Sequence, residues 1–280
     1  MSDGVVLYDK PPGVTSAAAV AELRRTFARA SKVKVGHAGT LDPFATGLLL
    51  LLVGRATRAQ RFLMALPKTY EVTARFGAVS STGDPEGEIV ETGVLPVGGL
   101  SLPTGVVRQR PPAFSAVKVG GRRAYALARA GIDVQPAERE VEVYRFEERA
   151  RDGDRRRFVI ECSSGTYVRS LIAELGDAYC EQLRRTRIGP FAVGDADPER
   201  IVPLERALAF LPEVRLAGED ARRAGHGAAV AAQGPVPGRG PVAGRPAGVV
   251  RLSDGDGLIA LAEPRGDGQL LKPIVGFRQR

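Results

Sequence analysis

The sequence predicts an α+β protein that ends in a small β-rich unit. Strand-like and helix-like periods follow one another without the regular βαβ alternation of a doubly wound sheet. The chain has 280 residues, more than a typical domain of about 100–200 residues, which suits one large domain and one small one. Composition also changes after about Leu211: an Ala-, Gly- and Pro-rich stretch over 224–248 gives way to short β candidates joined by Gly and Asp turns. The expected domains are therefore 1–211 and 212–280.

Element by element, Val5 to Tyr8 form a short buried strand, and the break Pro11-Pro12-Gly13 leads to Thr15 and Ser16, either of which can cap a helix. Val20, Leu23 and Phe27 mark that helix's inner face, with Arg24, Arg25 and Arg29 outside. After Val33 to Val35 the stretch from Gly36 to Gly47 is irregular and feeds the apolar run Leu48 to Val53, whose shortness and glycine boundaries favour a buried strand. Residues 57–66 read as helical, and Thr69 to Phe76 alternate as a strand with Tyr70 and Val72 on one face. GDPEG from Gly83 to Gly87 is a turn, and Val94 to Pro112 form a surface excursion. A strand near Ser115 to Val119, a helix near Arg122 to Ala130, and strands at Val141 to Arg149 and Arg156 to Cys162 follow, the last two separated by a turn at Arg151 to Asp154. Ser163 to Thr166 supply cap residues for a helix striped by Val168, Leu171, Ile172 and Leu175, with Arg169 beside the stripe. Three short strands are expected within Val249 to Phe277.

Composition narrows the function. With 44% hydrophobic and 26% charged residues the chain can build a core. A formal charge of +8 favours an anionic partner such as nucleic acid without demanding one. Cys162 and Cys180 form no C-x-x-C pair and His37 and His226 lie far apart, which argues against a zinc site or a disulfide framework. The run Leu48 to Val53 is far short of the roughly 20 residues that span a bilayer, and no basic segment precedes a long apolar one at the N-terminus. The expectation is a soluble cytoplasmic protein.

Asp42, flanked by Leu41 and Pro43 ahead of a buried strand, is placed to present a carboxylate on rigid support, and equally to act as a turn residue bonding its own backbone. His37 can position a phosphate or base, or be structural. Neither a phosphate-binding nor a dinucleotide glycine pattern is present. Tyr70 and Tyr167 can stack on an extruded base or simply pack. Arg169 can hold a carboxylate ionised or be a solvated helix residue, and Arg184, Arg185 and Arg187 can grip phosphates or lie on a wet strand face.

Taken together, five ordered blocks resemble the bacterial tRNA pseudouridine synthase B (TruB) family: LYDKPPGVTS from Leu7, GHAGTLDPFATGLLLLLVGRATR from Gly36, KTYEVTARFG from Lys68, PPAFSAVKVGGRRAYALARAG from Pro111 and CSSGTYVRSL from Cys162. The resemblance covers most of residues 4–191. It implies a pseudouridine synthase fold with a mixed, mostly antiparallel central sheet flanked by helices, and a small PUA-like β-barrel at the C-terminus. It further implies conversion of the T-loop uridine of tRNA, position 55, to pseudouridine by base flipping. No cofactor, metal or guide RNA is implied, nor a membrane, and the expected state is a monomer. By the same resemblance Asp42 is the essential carboxylate, adding to the ribose, adding to the base, or removing a ribose proton. Tyr70 stacks on the uracil and can assist proton transfer. Arg169 pairs with Asp42, depressing its pKa. Tyr167 and Leu183 line the pocket, His37 contacts the T loop, and Lys10 and Lys68 take substrate-backbone or structural roles. The stretches 94–110 and 175–183 are shorter than the family pattern. The alternative function is a non-catalytic tRNA-binding protein or tRNA folding chaperone.

Overall fold

The computed structural model describes residues 3–28, 33–232, 248–266 and 268–278. Strand β1 (Gly4–Lys10) leads through the Pro11-Pro12-Gly13 turn into helix α1 (Ser16–Ala28), and β2 (Val35–Ala38) returns toward β3 (Thr46–Val53). Thr15 caps α1, accepting a bond from the Ala18 N–H at 3.0 Å. Val20 and Leu23 are buried as expected, while the Phe27 side chain and Arg29 lie outside the described residues. Strand β3 is a continuous apolar run because it is buried on both faces: Leu48, Leu50 and Leu52 enter one core cluster, and Leu49, Leu51 and Val53 another. One expectation is corrected here. Residues Gly36 to Ala38, read as irregular, are strand, paired with β3 from Val35–Val53 to Ala38–Leu50; hairpin pairing supplies the order that side-chain periodicity did not signal.

A 3₁₀ segment at Gly54–Ala59 runs into α2 (Gln60–Met64), followed by β4 (Lys68–Phe76) and a hairpin of β5 (Ala78–Ser80) and β6 (Ile89–Glu91). The expected excursion over 94–112 contains β7 (Gly105–Gln109), which lies at the sheet edge against β10 (Arg139–Asp152). Its side chains are mostly exposed, so no alternation betrayed it. The strand expected from Ser115 is only β8 (Lys118–Val119), paired with β9 (Arg122–Arg123) ahead of α3 (Ala124–Arg129). Strand β10 returns as β11 (Arg155–Cys162), and α4 (Val168–Ala173) precedes β12 (Ala178–Ile188). Then come β13 (Phe191–Ala192), β14 (Ile201–Pro203) and α5 (Leu204–Ala207).

These strands make one ten-stranded sheet ordered β14-β1-β3-β12-β4-β11-β10-β7, with β2 and β13 joined at β3 and β12. Every ladder is antiparallel except β3 with β12, giving the mixed, mostly antiparallel sheet expected. Strand β12 is central. It sets Leu183 opposite Val72 and Arg185 opposite Tyr70 on β4, and Arg185 beside Gly47 on β3. Gly47, at φ +102°, admits this approach, since a Cβ there would collide with the Arg185 backbone. The short connection 174–177 between α4 and β12 is a tight turn held by the Gly77 N–H bonded to the Asp177 carbonyl at 2.8 Å, and Leu183 still reaches the cluster containing Leu41 and Tyr70.

The C-terminal sheet is ordered β15-β17-β18-β19-β16, from β15 (Glu213–Arg215), β16 (Val230–Ala231), β17 (Val250–Asp254), β18 (Gly257–Arg265) and β19 (Leu270–Gly276), with α6 (Gly218–Gly225) packed on it. The expected three strands are present, and β15, β16 and α6 are additional. Of the Ala-, Gly- and Pro-rich stretch, 233–247 lie outside the described residues. Val249, Leu261 and Phe277 share a core cluster with Leu50, Phe62 and Leu208, so the second sheet is docked on the first through apolar burial.

Gly47→Ala should destabilise the protein by about 2–3 kcal/mol or more, from positive φ and overlap at a packed backbone. Urea unfolding checks this, and a change within about 0.5 kcal/mol, the range of ordinary surface substitutions, would show that β3 and β12 can part without cost.

Candidate active site

Asp42 occupies the loop 39–45 between β2 and β3, and the backbone around it is pinned carbonyl by carbonyl. Arg185 donates to the Gly39 oxygen at 3.1 Å and to the Thr40 oxygen at 3.3 Å. The buried Ser16 hydroxyl donates to the Leu41 carbonyl at 3.0 Å and accepts from the Leu41 N–H at 2.9 Å. The Asp42 carbonyl accepts from the Ala45 N–H at 3.2 Å, and that of Pro43 from the Gly13 N–H at 2.8 Å and Lys10 Nζ at 3.1 Å. The N-terminal strand and turn thus serve the loop: Lys10, Gly13 and Ser16 all grip it. Buried backbone groups must be bonded somewhere, and here those bonds define the loop's shape.

The side chain of Asp42 faces a buried cation. Arg169 is 3% exposed in its side chain, against 31% for Asp42, and its Nε lies 2.9 Å from Asp42 Oδ2. The contact is an ion pair rather than a well-directed hydrogen bond, because Arg169 Nε has no aligned acceptor. On its other side the guanidinium pairs with the buried Asp84 Oδ2 at 3.0 Å and donates to the carbonyls of Thr82 at 2.6 Å and Phe114 at 2.9 Å. Asp84 is itself oriented, accepting from the Thr82 hydroxyl at 2.6 Å and the Glu86 N–H at 3.1 Å. Two carboxylates and two carbonyls thereby offset the cost of burying one cation.

Helix α4, which carries Arg169, is not capped by Ser163 to Thr166 as expected. Gln109, buried at the end of β7, accepts from the Tyr167 N–H at 2.7 Å and donates to the Tyr167 carbonyl at 2.8 Å. The edge strand missed in the sequence therefore sets the start of α4. Thr166 bonds only within its own turn, donating to the Ser163 carbonyl at 3.0 Å.

Tyr70 and Leu183 are buried with Leu41 and Val72 in one cluster. Burial pushes the Tyr70 phenol up to about 12, although neighbouring Arg185 pulls it down, so the ring is neutral at physiological pH. Burial likewise raises the Asp42 carboxyl above its ordinary value, with Arg169 pulling it back only in part. The expected depression of the Asp42 pKa is corrected: loss of hydration outweighs the ion pair. Tyr167, half-buried, lies under the Arg139 guanidinium, 4.9 Å from the ring centroid.

The remaining expected residues are Lys10, Lys68 and His37. Lys10 is fully buried, bonded to the Pro11 and Pro43 carbonyls, and burial lowers it to about 8. Lys68 is buried with its ammonium on the Met64 and Leu66 carbonyls and is lowered to about 7 by burial. His37, on β2, is kept toward its neutral form by burial, with Arg185 and Arg123 adding to the effect, and its Nδ1 is buried without a partner among the described residues. Of the arginines at the end of β12, Arg187 is exposed and Arg184 pairs with Asp9 at 2.7 Å. Arg185 does not face solvent: it is 1% exposed, which excludes the wet strand face that the sequence left open for it. Asp84, Gln109 and Ser16 were not singled out as site residues; the GDPEG turn, with an Asp and two glycines, was the one local signal for Asp84.

Residues 24–168 match the family model described as TruB family pseudouridylate synthase (N terminal domain). A curated relative from Thermobifida fusca (strain YX), named tRNA pseudouridine synthase B, is 40% identical over 307 aligned residues covering 99% of each chain. One of the same name from Aromatoleum aromaticum is 44% identical over 69% of this chain and 66% of its own. In fold, the chain resembles one in the structure of an H/ACA RNP bound to a substrate RNA containing 2'-deoxyuridine, with a TM-score of 0.66, 24% identity, and coverage of 99% of this chain and 86% of that one.

Arg169→Met should cost about 3–5 kcal/mol, because Asp84 is then buried without its cation. In a double-mutant cycle with Asp84→Asn, the combined loss should fall short of the sum of the single losses by about 1 kcal/mol or more. Additive losses in denaturant unfolding would show that the two side chains do not stabilise each other.

Proposed function

The chain belongs to the TruB family of pseudouridylate synthases and converts uridine in tRNA to pseudouridine; we propose that its target is the T-loop uridine at position 55 and that Asp42 is its catalytic carboxylate. The observation that carries the proposal is a carboxylate partly open to solvent on a loop whose carbonyls from Gly39 to Pro43 are all engaged, beside a buried arginine and a buried tyrosine. In the reaction the N1–C1′ bond of the nucleotide breaks and a C5–C1′ bond forms. The C5 proton is lost and N1 regains one. Nothing is oxidised or reduced, so the isomerisation balances without a cofactor, and among the described residues no cluster of His, Cys, Asp or Glu is arranged to hold a metal.

In this reading the uracil is turned out of the T arm and rests on Tyr70, whose neutral ring offers a stacking face that offsets part of the unstacking cost. Leu183 and Tyr167 line the same pocket, and His37 meets the T loop. Lys10 and Lys68 act from beneath, through carbonyls of the protein. Arg169 keeps Asp42 available as the anion against the desolvation that opposes it. The net charge of +8 steers the polyanion toward the site. We assign the chemistry to residues 1–211 and tRNA support to a PUA-like unit at 212–280, the whole acting as a monomer without a guide RNA. A cytoplasmic site of action belongs to the same proposal; among the described residues no helix is long and apolar enough to cross a membrane.

Incubating the purified protein alone with an unmodified tRNA transcript, in the presence of chelator, should yield pseudouridine at position 55 and nowhere else in the T loop. No product from folded protein would sink the proposal. Asp42→Asn should abolish turnover while leaving tRNA affinity within about threefold, under 1 kcal/mol. It should melt no lower than the parent at pH 7, because a carboxyl raised by burial binds its proton more tightly folded than unfolded. Its contribution to stability therefore falls as pH rises from the ordinary Asp value of about 3.9 through the raised one. A strongly lowered melting temperature would mark Asp42 as structural.

Single-turnover rates should fall on the acid side as Asp42 is protonated, with a midpoint above about 3.9. A rate that stays flat down to that value would show that the Asp42 anion is not required.

A further inference from the structure

The strongest unassigned feature of the site is the buried guanidinium of Arg185. Strand register sets it opposite Tyr70 and beside Gly47, and two residues along β12 from Leu183 it leaves the strand on the same face. It makes no carboxylate ion pair within 4.0 Å among the described residues. Instead its fork is spent on three carbonyls: Leu48 at 2.7 Å, Thr40 at 3.3 Å and Gly39 at 3.1 Å. Two of these precede Asp42 in the chain and the third follows it. The guanidinium therefore closes the base of the loop from which Asp42 projects, like a splint between its two legs.

Such placement is costly unless it serves something. A buried cation paired only with carbonyl dipoles keeps its charge in a poorly hydrated environment. Its neighbours show the field it makes: Arg185 helps lower Lys10, His37 and Lys68 and pulls Asp42 and Tyr70 downward. The lysines and the histidine can give up their protons, whereas a guanidinium does not. Arg185 is thus a second permanent positive charge acting on Asp42, besides Arg169. Because Arg169 Nε makes no aligned bond to Asp42, the direction of the carboxylate is set by its backbone, and Arg185 holds both ends of that backbone.

We propose that Arg185 is a positioning residue for the isomerisation, splinting the loop 39–48 so that Asp42 meets the reacting nucleotide, and supplying a fixed cation that favours the Asp42 anion. The proposal rests on the assignment of Asp42 as the catalytic carboxylate. A lysine would keep the charge but not the three-way fork, since an ammonium is a point donor on a flexible stem. A glutamine would lose both.

The test compares the full-length parent, Arg185→Lys and Arg185→Gln by melting temperature, affinity for an unmodified tRNA transcript, and single-turnover rate across pH. Arg185→Gln should bind tRNA within about threefold of the parent and react about 100-fold slower, the scale of a 1 Å misplacement. Its acid-side midpoint should move to higher pH, because one of the cations favouring the Asp42 anion is gone. The other charged and titratable groups around Asp42 (Arg169, Asp84, Lys10 and Tyr70) are unchanged in both variants. Arg185→Lys should lose rate while keeping the parent's midpoint. Parental rates in both variants, or a slowed Arg185→Gln whose midpoint does not move, would overturn the proposal. If Arg185→Gln does not fold, Arg185→Lys decides: parental turnover overturns it, and slow turnover at parental affinity and melting temperature supports it. An inactive parent would instead overturn the assignment of Asp42.

Discussion

A guanidinium buried between two carboxylates, Arg169 between Asp42 and Asp84, is the constraint on which the site depends. Ions are buried only when paired and hydrogen bonded, and meeting that demand brings four stretches of chain together: the loop 39–45, the turn 81–87, the segment at Phe114 and the first turn of α4. Only the last of the four is regular secondary structure; the other three are loop and turn. The shared cation gives each a reason to be where it is.

Charge and direction are handled by different parts of the protein. Arg169 supplies charge to Asp42 without an aligned Nε bond, whereas Arg185, Ser16, Lys10 and the Gly13 N–H fix the backbone. Rigid backbone support is the cheaper way to hold a short side chain, which has few torsions of its own to lose. The same dense surroundings withhold water from Asp42 and Tyr70, raising both. Desolvation therefore opposes the Asp42 anion while Arg169 favours it, so the protein only partly stabilises the charged carboxyl.

The C-terminal sheet is part of the same packed body. Its Phe277 and Leu261 enter the core that holds Leu50 and Phe62. Arg58, from the segment after β3, donates to the Gly276 carbonyl at 2.7 Å, and Arg55 bonds to that of Phe277. These bonds tie the C-terminal sheet to the 3₁₀ segment that follows β3.

How much of this was legible follows from the range of each interaction. Periodicity exposed β3, β4, β10, β11 and α4, because burial on a strand or helix face leaves a local pattern. Ordered motif blocks marked Asp42, Tyr70, Arg169 and Tyr167, and their resemblance to a known family added Leu183 and turned an ambiguous loop aspartate into a candidate catalytic group. Strand β7 stayed hidden because an exposed edge strand needs backbone pairing but no apolar alternation. Asp84 and Gln109 stayed hidden because their partners are 85 and 58 positions away, by subtraction from Arg169 and Tyr167. Arg185 read as a surface charge, since no local pattern tells a solvated arginine from one folded inward onto carbonyls. The sequence by itself determined the family and which groups are candidates for the chemistry. Only the tertiary structure decided which way the Asp42 pKa moves and what holds the loop, because desolvation and long-range backbone bonding exist only once distant segments have met.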